Sequence, residues 1–361
     1  PVSTLAEEIE TPGKGQIRAL VTSAGNPVLS TPNGARLAKA LETLDFMVSI
    51  DIYLNETTRH AHVILPTTFA LEHEHYDLAL HTYVVRNTAK WSPALFARGE
   101  DQRHDWEIFR DLSARLLRKG DPLDPVRTGL AGLALGPLTP RAIVAQLILA
   151  GPYGVQKSPF APLTLAQVEN SIHGVDLGPL RRSLPERLET PDGAIDLAPE
   201  VFVHDLPRLR EALAKFEAQA QGALVMISRR QLRSNNSWGH NSERMVKGRE
   251  RCTLLVNPAD ALQRDLRTGD RARVASRVGA IEAPVEVSDE MMPGVVCLPH
   301  GFGHAREGVR MRVASAHAGV SVNDITDEAQ LDTLCGTSTL SDVPVEDPRA
   351  GVRATTDHAG A

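Results

Sequence analysis

The sequence predicts an α/β nucleotide-binding unit followed by an all-β domain, and three observations carry that reading. Phe46–Pro66 places one acid, Asp51, at the carboxyl end of an apolar run and starts a second apolar run soon after it. Upstream lie a strand pattern, a Gly-Asn-Pro turn and a helical stripe, so the order strand, turn, helix, strand, acid is that of a dinucleotide-style, partial Rossmann-like half-domain. From Gly222 the periodicity changes to short β-branched runs separated by turn residues.

Each element follows from its own residues. Residues 1–15 are polar, with Pro12, Gly13 and Gly15, and read as a loop into the first strand, Ile17–Ser23. Asn33–Leu44 reads as a crossover helix because Leu37, Ala40, Leu41 and Leu44 share one face. His75–Trp91 reads as an extended excursion that interrupts the domain near 75–100. Arg103–Leu117 carries Trp106, Phe109, Leu112, Leu116 and Leu117 at helical spacing. Residues 120–200 are rich in Pro and Gly and are expected to pack irregularly, with a helix at Pro140–Leu149 and a turn at Thr190-Pro191-Asp192-Gly193. Asp205 is a good cap for a connecting helix that continues to about Ala220. Strands are then expected at ALVMIS, CTLLVN, ARVASR, AIEAPVEVS and GVVCLP, a spacing that suggests a small closed or nearly closed barrel. The expected domains are 1–222, 223–346 and a polar tail at 347–361.

Composition bounds the function. With 42% hydrophobic and 23% charged residues in 361, the chain is an ordinary globular protein with room for a sizeable core. A net charge of −6 argues against general nucleic-acid binding but leaves room for a local anion site. Cys252, Cys297 and Cys335 are far apart and form no C-x-x-C motif, which fits a reducing, cytoplasmic setting and supplies neither a disulfide framework nor a metal cluster. No run is long enough to span a membrane. Because the chain has no initiator Met, a leader and a periplasmic location stay open.

The segments GNPVLSTPN, DIYLNETTRHAHVILP and DWEIF resemble, in that order, motifs of the molybdopterin oxidoreductases of the dimethyl sulfoxide reductase and formate dehydrogenase group, which read close to G-x-N-P, D-x-F-x-T-E-T-x-x-A-D-V-V-L-P and D-W-x-I. Asn257–Leu262 followed by Leu266–Val274 resembles the N-x-x-D-A…G-I-x-D-G-D-x-V-x-V stretch of the same family's C-terminal double-psi barrel. The resemblance covers most of the chain and is weakest at 120–185. It implies a molybdopterin guanine dinucleotide cofactor carrying molybdenum or tungsten, a small-molecule substrate and an electron-transfer partner. The family's [4Fe–4S] cysteine cluster, metal ligand and second nucleotide-binding half have no visible counterpart, so the chain is expected to be the C-terminal portion of a longer, formate-dehydrogenase-like enzyme, inactive without its N-terminal region. The rival reading is a non-catalytic cofactor-holding or assembly subunit. A nicotinamide dehydrogenase is disfavoured because no G-x-G-x-x-G follows the first strand.

Candidate residues follow from chemistry and resemblance together. Asn26 sits where the first strand ends, where backbone N–H groups can approach a phosphate, although Gly-Asn-Pro is also simply a good turn. The resemblance assigns Asp51, and less firmly Asn55, to the nucleoside end of the cofactor, and Asp105 to the guanine; read alone, Asp51 is a helix-cap candidate and Asp105 an N-cap carboxylate. Ile227–Asn241, ISRRQLRSNNSWGHN, offers Arg229, Arg230 and Arg233 as anion donors, or else a solvated basic loop. The resemblance favours Arg230 with Ser234, Asn235 and Asn236 against the pterin, and Asn323 as a late pterin contact. His60 and His62 would face one side of a strand, but no third ligand has a recognisable spacing, and the same holds for His73 with His75, so no metal site is assigned. His300 and His304, in LPHGFGH, are expected near the cofactor mouth; His300 has the chemistry of a general acid/base, but with no partner to name, a structural role is the expectation.

Overall fold

The computed structural model describes residues 1–116, 139–217 and 223–346. Leu117, the end of the expected connecting helix at 218–220 and the tail at 347–361 lie outside the described residues. The protein is mixed α/β and falls into two compact units, one made of Pro1–Leu65 with Ala198–Ala361 and the other of Pro66–Leu197.

The first unit opens with α1, Leu5–Glu10, where the sequence suggested only a loop. Ala6 and Ile9 are buried in that helix, and two such residues in six are too short a stripe to stand out among polar neighbours. Strands β1 (Ala19–Ser23), β2 (Phe46–Ile50) and β3 (Val63–Leu65) form a parallel sheet with β2 in the centre. Helix α2 (Pro27–Ser30) follows the Gly-Asn-Pro turn. It leads to α3 (Gly34–Leu41), which Asn33 caps: its side chain accepts from the Arg36 N–H while its backbone adopts φ +49°. Leu37, Ala38, Ala40 and Leu41 of α3 meet Ala6 and Ile9 of α1, Met47 of β2 and the partly buried Leu20 of β1. The opposite row of the sheet, Val21 and Val63 on either side of Val48, stays open, with Val21 and Val63 exposed.

The second unit holds β4 (His75–Tyr76) paired with β6 (Trp91–Ser92), and β5 (Arg86–Ala89) paired with β7 (Val175–Pro179), both antiparallel. Helix α4 spans Asp105–Leu116. A further helix at Pro140–Ala150 packs Val144 and Ile148 against Ala89, Trp91, Leu165 and Val168. The Gly193 N–H bonds the Thr190 carbonyl at 3.0 Å, closing the expected turn.

The first unit resumes at Ala198 with a short helix, Glu200–Val203, and then a longer one at Leu206–Glu217, which begins directly after Asp205, although the Asp205 carboxylate takes the Arg208 guanidinium. Six strands then form one mixed sheet: β8 (Leu224–Arg229), β9 (Leu254–Val256), β10 (Arg271–Ala275), β11 (Ala280–Val287), β12 (Val295–Pro299) and β13 (Val343–Val345), in the order β10-β11-β9-β12-β8-β13. The five expected strands are present and β13 is an addition. The sheet curls around Met226, Leu254, Val256, Val274, Ala283, Val285, Val296, Leu298 and Ile325, all buried. A backbone bond from Glu346 N to Ala275 O, 2.9 Å, links the ends of its two outer strands. Asn257 caps the helix Pro258–Gln263 by accepting from Ala259 N, and the buried Asp260 accepts from Gly294 N at 2.7 Å.

Candidate functional site

Parallel strands deliver their carboxyl ends to one edge, and here that edge carries Ala24 after β1 and Asp51 after β2, joined by Ala24 N to Ile50 O at 2.9 Å. The chain then folds back on itself through side-chain bonds. Asp51 accepts from Tyr53 N (2.9 Å) and from the Asn55 amide (3.2 Å), while the Asn55 carbonyl accepts from the N–H groups of Thr57 and Thr58. Burial pushes the Asp51 carboxyl above its ordinary range, and the donors from Tyr53, Ile52 and Asn55 offset this only in part. A carboxylate offers about four acceptor positions, so these bonds leave capacity for donors on a ligand.

Across a cavity of about 350 Å³ from this segment stands the loop after β8. The cavity is lined by Asn26, Asp51, Asn55, Arg230, Asn236 and His300, together with Tyr53, Trp238 and Asn241, which sequence reasoning did not single out. Arg230 is exposed and its guanidinium donates to the Asn236 side-chain amide oxygen, Oδ1. Asn235 and Asn236 both adopt left-handed backbone, φ +44° and +62°, which Asn tolerates better than most residues. Gly301 is essential to this wall: at φ +96°, a Cβ there would stand 1.8 Å from the Asn236 carbonyl oxygen.

Five of the nine expected residues thus share one cavity, and the other four are placed elsewhere. Ser234 is buried beside a second, small cavity, Asn235 is exposed, and neither lines the large one. Asn323 is 1% exposed, its amide donating to Leu29 O at 2.7 Å and its carbonyl accepting from Thr326, so its side chain ties α2 to the turn at 322–326. Asp105 belongs to the second unit. It is the first helical residue of α4 rather than its cap; the cap position falls to His104, whose N–H is held by Glu107 at 2.9 Å, and Asp105 accepts from Thr67 at 3.3 Å. Of the three arginines, Arg229 is spent on Cys297 O, Thr253 O and Thr253 Oγ1, and Arg233 bonds Lys247 O, so Arg230 alone of them faces the cavity.

His60 and His62 do not share a strand. His60 ends a 3₁₀ turn with its ring buried, and His62 accepts from Met47 N at 3.0 Å just ahead of β3. Among the described residues, no three His, Cys, Asp or Glu side chains cluster so as to hold a metal. His300 is half-buried on the cavity wall; burial first, then the charge of Arg230, holds its pKa below the ordinary value.

Behind the cavity runs a polar chain that the sequence did not reveal. The Asn26 amide donates to Glu56 Oε2 (2.6 Å), Glu56 Oε1 meets His304 Nδ1 (2.8 Å), His304 Nε2 meets His240 Nδ1 (2.8 Å), and His240 Nε2 meets Ser234 Oγ (2.7 Å). Glu56 and His304 are at most 1% exposed. Burial alone would raise Glu56, but His304 and Asn26 hold its carboxyl below the usual range. Burial, then the charge of His304, lowers His240 to about 4. The Glu in N-E-T-T was the available signal, a charge set among small polar residues directly after a strand-end acid.

Comparison with known proteins gives this geometry a lineage. Residues 1–115 match the family profile Molybdopterin oxidoreductase, and residues 224–344 match Molydopterin dinucleotide binding domain. The chain is 24% identical over 319 residues to the F420-dependent formate dehydrogenase subunit alpha of Methanocaldococcus jannaschii, covering 86% of this chain and 42% of that one. It is 25% identical over 298 residues to the dimethyl sulfoxide/trimethylamine N-oxide reductase of Cereibacter sphaeroides, covering 77% and 35%. Acetylene hydratase from Pelobacter acetylenicus shares the fold at a TM-score of 0.68 and 16% identity, over 96% of this chain and 46% of that one. The chain therefore spans less than half the length of each of these relatives. No described helix is long and apolar enough to cross a membrane. Two family profiles in the right order, on segments that fold into the two walls of one cavity, place this chain in the molybdopterin oxidoreductase family.

Proposed function

We propose that the cavity between the β2 end and the β8 loop receives the nucleotide end of a molybdopterin guanine dinucleotide, and that the chain is the cofactor-holding part of a formate-dehydrogenase-like oxidoreductase. The observation that carries this is the pairing of a buried carboxylate with spare acceptor positions, Asp51, and an exposed guanidinium, Arg230, on one cavity of about 350 Å³. Nucleosides offer N–H and O–H donors to such a carboxylate, and phosphate oxygens suit an arginine fork. That volume lies within the range of small-ligand pockets.

On this reading the parallel sheet is a partial Rossmann-like half-domain and the six-stranded sheet a double-psi barrel. Asp51 and Asn55 bind the nucleoside, and Arg230 and Asn236 the phosphate or pterin oxygens. Asn26, Ser234 and Asn323 contribute by holding the surrounding backbone in place. When bound, the cofactor supplies two-electron chemistry at molybdenum or tungsten; the chain's own residues bind, orient and exclude water.

Titration of the 361-residue chain with GMP tests the reading. GMP should bind more tightly than AMP, and Asp51→Asn should weaken GMP by roughly tenfold, the loss of about 1.5 kcal/mol expected for a hydrogen bond to a charged group. Equal affinity for GMP and AMP, or an Asp51→Asn chain that binds GMP as the parent does, would sink the assignment.

A further inference from the structure

We propose that Glu56, His304, His240 and Ser234 form a reversible proton relay behind the cavity wall, in which uptake of one proton reverses the direction of two buried hydrogen bonds. This goes beyond cofactor binding, since it depends on no ligand.

The starting polarity is fixed by the Glu56 carboxylate. Ionised, it can only accept, so the Asn26 NH₂ turns to Glu56 Oε2 and the Asn26 side-chain carbonyl accepts from the Thr57 hydroxyl at 2.7 Å, while Thr57 Oγ1 accepts from Val28 N–H at 3.1 Å. With Glu56 ionised, His304 must donate from Nδ1, which makes its neutral Nε2 an acceptor for His240 Nδ1–H. The bare Nε2 of His240 then accepts from the Ser234 hydroxyl. Both rings are therefore held in the Nδ1–H tautomer, and every donor in the chain points toward Glu56.

A single added proton has one consistent arrangement. It enters at His240 Nε2, and His240 Nδ1–H passes to His304 Nε2. His304 becomes the cation opposite the Glu56 carboxylate, and His240 remains neutral as the Nε2–H tautomer, now donating to Ser234. One proton is gained, no electron moves, and all bonds in the chain stay made. Burial and the adjacent ring both oppose charge on His240, so the charge rests on the ring that faces a carboxylate.

The entrance is visible. Ser234 and His240 line a small cavity of about 20 Å³, enough for one water by volume. The charged or titratable groups facing this end are Arg233, Arg249, Glu250, Arg251 and His317. At the far end Asn26 lines the large cavity, whose own titratable groups are Asp51, Tyr53, Arg230 and His300. Protonation thus adds one positive charge behind the ligand wall without opening that wall to solvent.

Nitrogen-15 NMR of the histidine-labelled 361-residue chain, with His240 and His304 assigned by His240→Gln and His304→Gln variants, tests the relay along an acid titration. On acidification His304 should gain a second N–H while His240 exchanges its Nδ1–H for an Nε2–H and stays neutral. In Glu56→Gln no carboxylate faces His304 Nδ1, so the cation loses its counter-charge and both rings should stay neutral throughout the titration. A His240 that keeps one tautomer throughout, or a Glu56→Gln chain that titrates like the parent, overturns the proposal. If Glu56→Gln does not fold, the His240 exchange in the parent chain decides alone.

Discussion

The two walls of the cavity are held in place by different means. On the sheet side, Asp51, Asn55 and Thr58 bond to neighbours no more than five residues away, so that wall is ordered by local chemistry before any partner arrives. On the loop side, Arg230 and Asn236 are exposed and the backbone is left-handed at two positions. That wall also depends on a glycine sixty-five residues later, Gly301, for room. The acceptor side is thus preorganised, and the donor side depends on long-range packing. The buried Glu56–His304 pair joins them.

The contrast can be broken most severely at the joint. Glu56→Ala leaves His304 and the Asn26 amide without their buried acceptor and should cost about 3–5 kcal/mol, read as a lower urea midpoint. Gly301→Ala attacks the loop wall alone: a methyl against the Asn236 carbonyl at φ +96° should cost about 3 kcal/mol in the same assay, and Gly25→Ala, whose Cβ would meet nothing closer than 3.6 Å, should cost far less.

Acid loads the joint more gently. Unfolded His240 binds a proton near its ordinary 6.5, while the folded ring resists until about 4. Between those values the unfolded state holds more protons, so stability present above about pH 6.5 is lost as pH falls toward 4. Glu56, whose carboxyl is also depressed, loses its contribution further down, in the same direction. Thermal melts across this range should show the slope, and a His240→Gln chain should show a shallower one. The smallest effect belongs to Arg230→Ala: an exposed side chain should change the melting temperature by less than about 0.5 kcal/mol equivalent while weakening GMP binding.

What the sequence disclosed follows the same divide. Asp51, Asn26 and Asn55 were legible because a strand end and a turn are local patterns, and the five barrel runs were legible by their alternation. The helix at Leu5–Glu10 was hidden because one short turn and a half, with only Ala6 and Ile9 buried, makes no stripe. Strand β13 was hidden because Val343-Pro344-Val345 is three residues with a proline in the middle, tolerable at that edge but no strand signal in isolation. Asn323 and Ser234 were assigned to the ligand by resemblance, whereas the fold commits their side chains to Leu29, Thr326 and His240. Glu56, His240 and His304 pair across 64 and 248 positions, a separation that no spacing rule spans.

The first unit is closed by residues from both ends of the sequence, with the Ser3 hydroxyl 2.6 Å from that of Ser338, and the second unit occupies the interval between. A chain leaving the ribosome therefore offers all of 66–197 before the later partners of its first 65 residues, His304 and Ser338 among them, exist. Until residue 304 emerges, the Glu56 carboxylate has no imidazole to meet, and a charge without a counterpart resists burial. The Asp51 turn can close on its own neighbours, but Glu56 behind it stays hydrated until His304 arrives, so synthesis of that later segment, rather than collapse of the leading one, sets the moment at which the polar chain is buried.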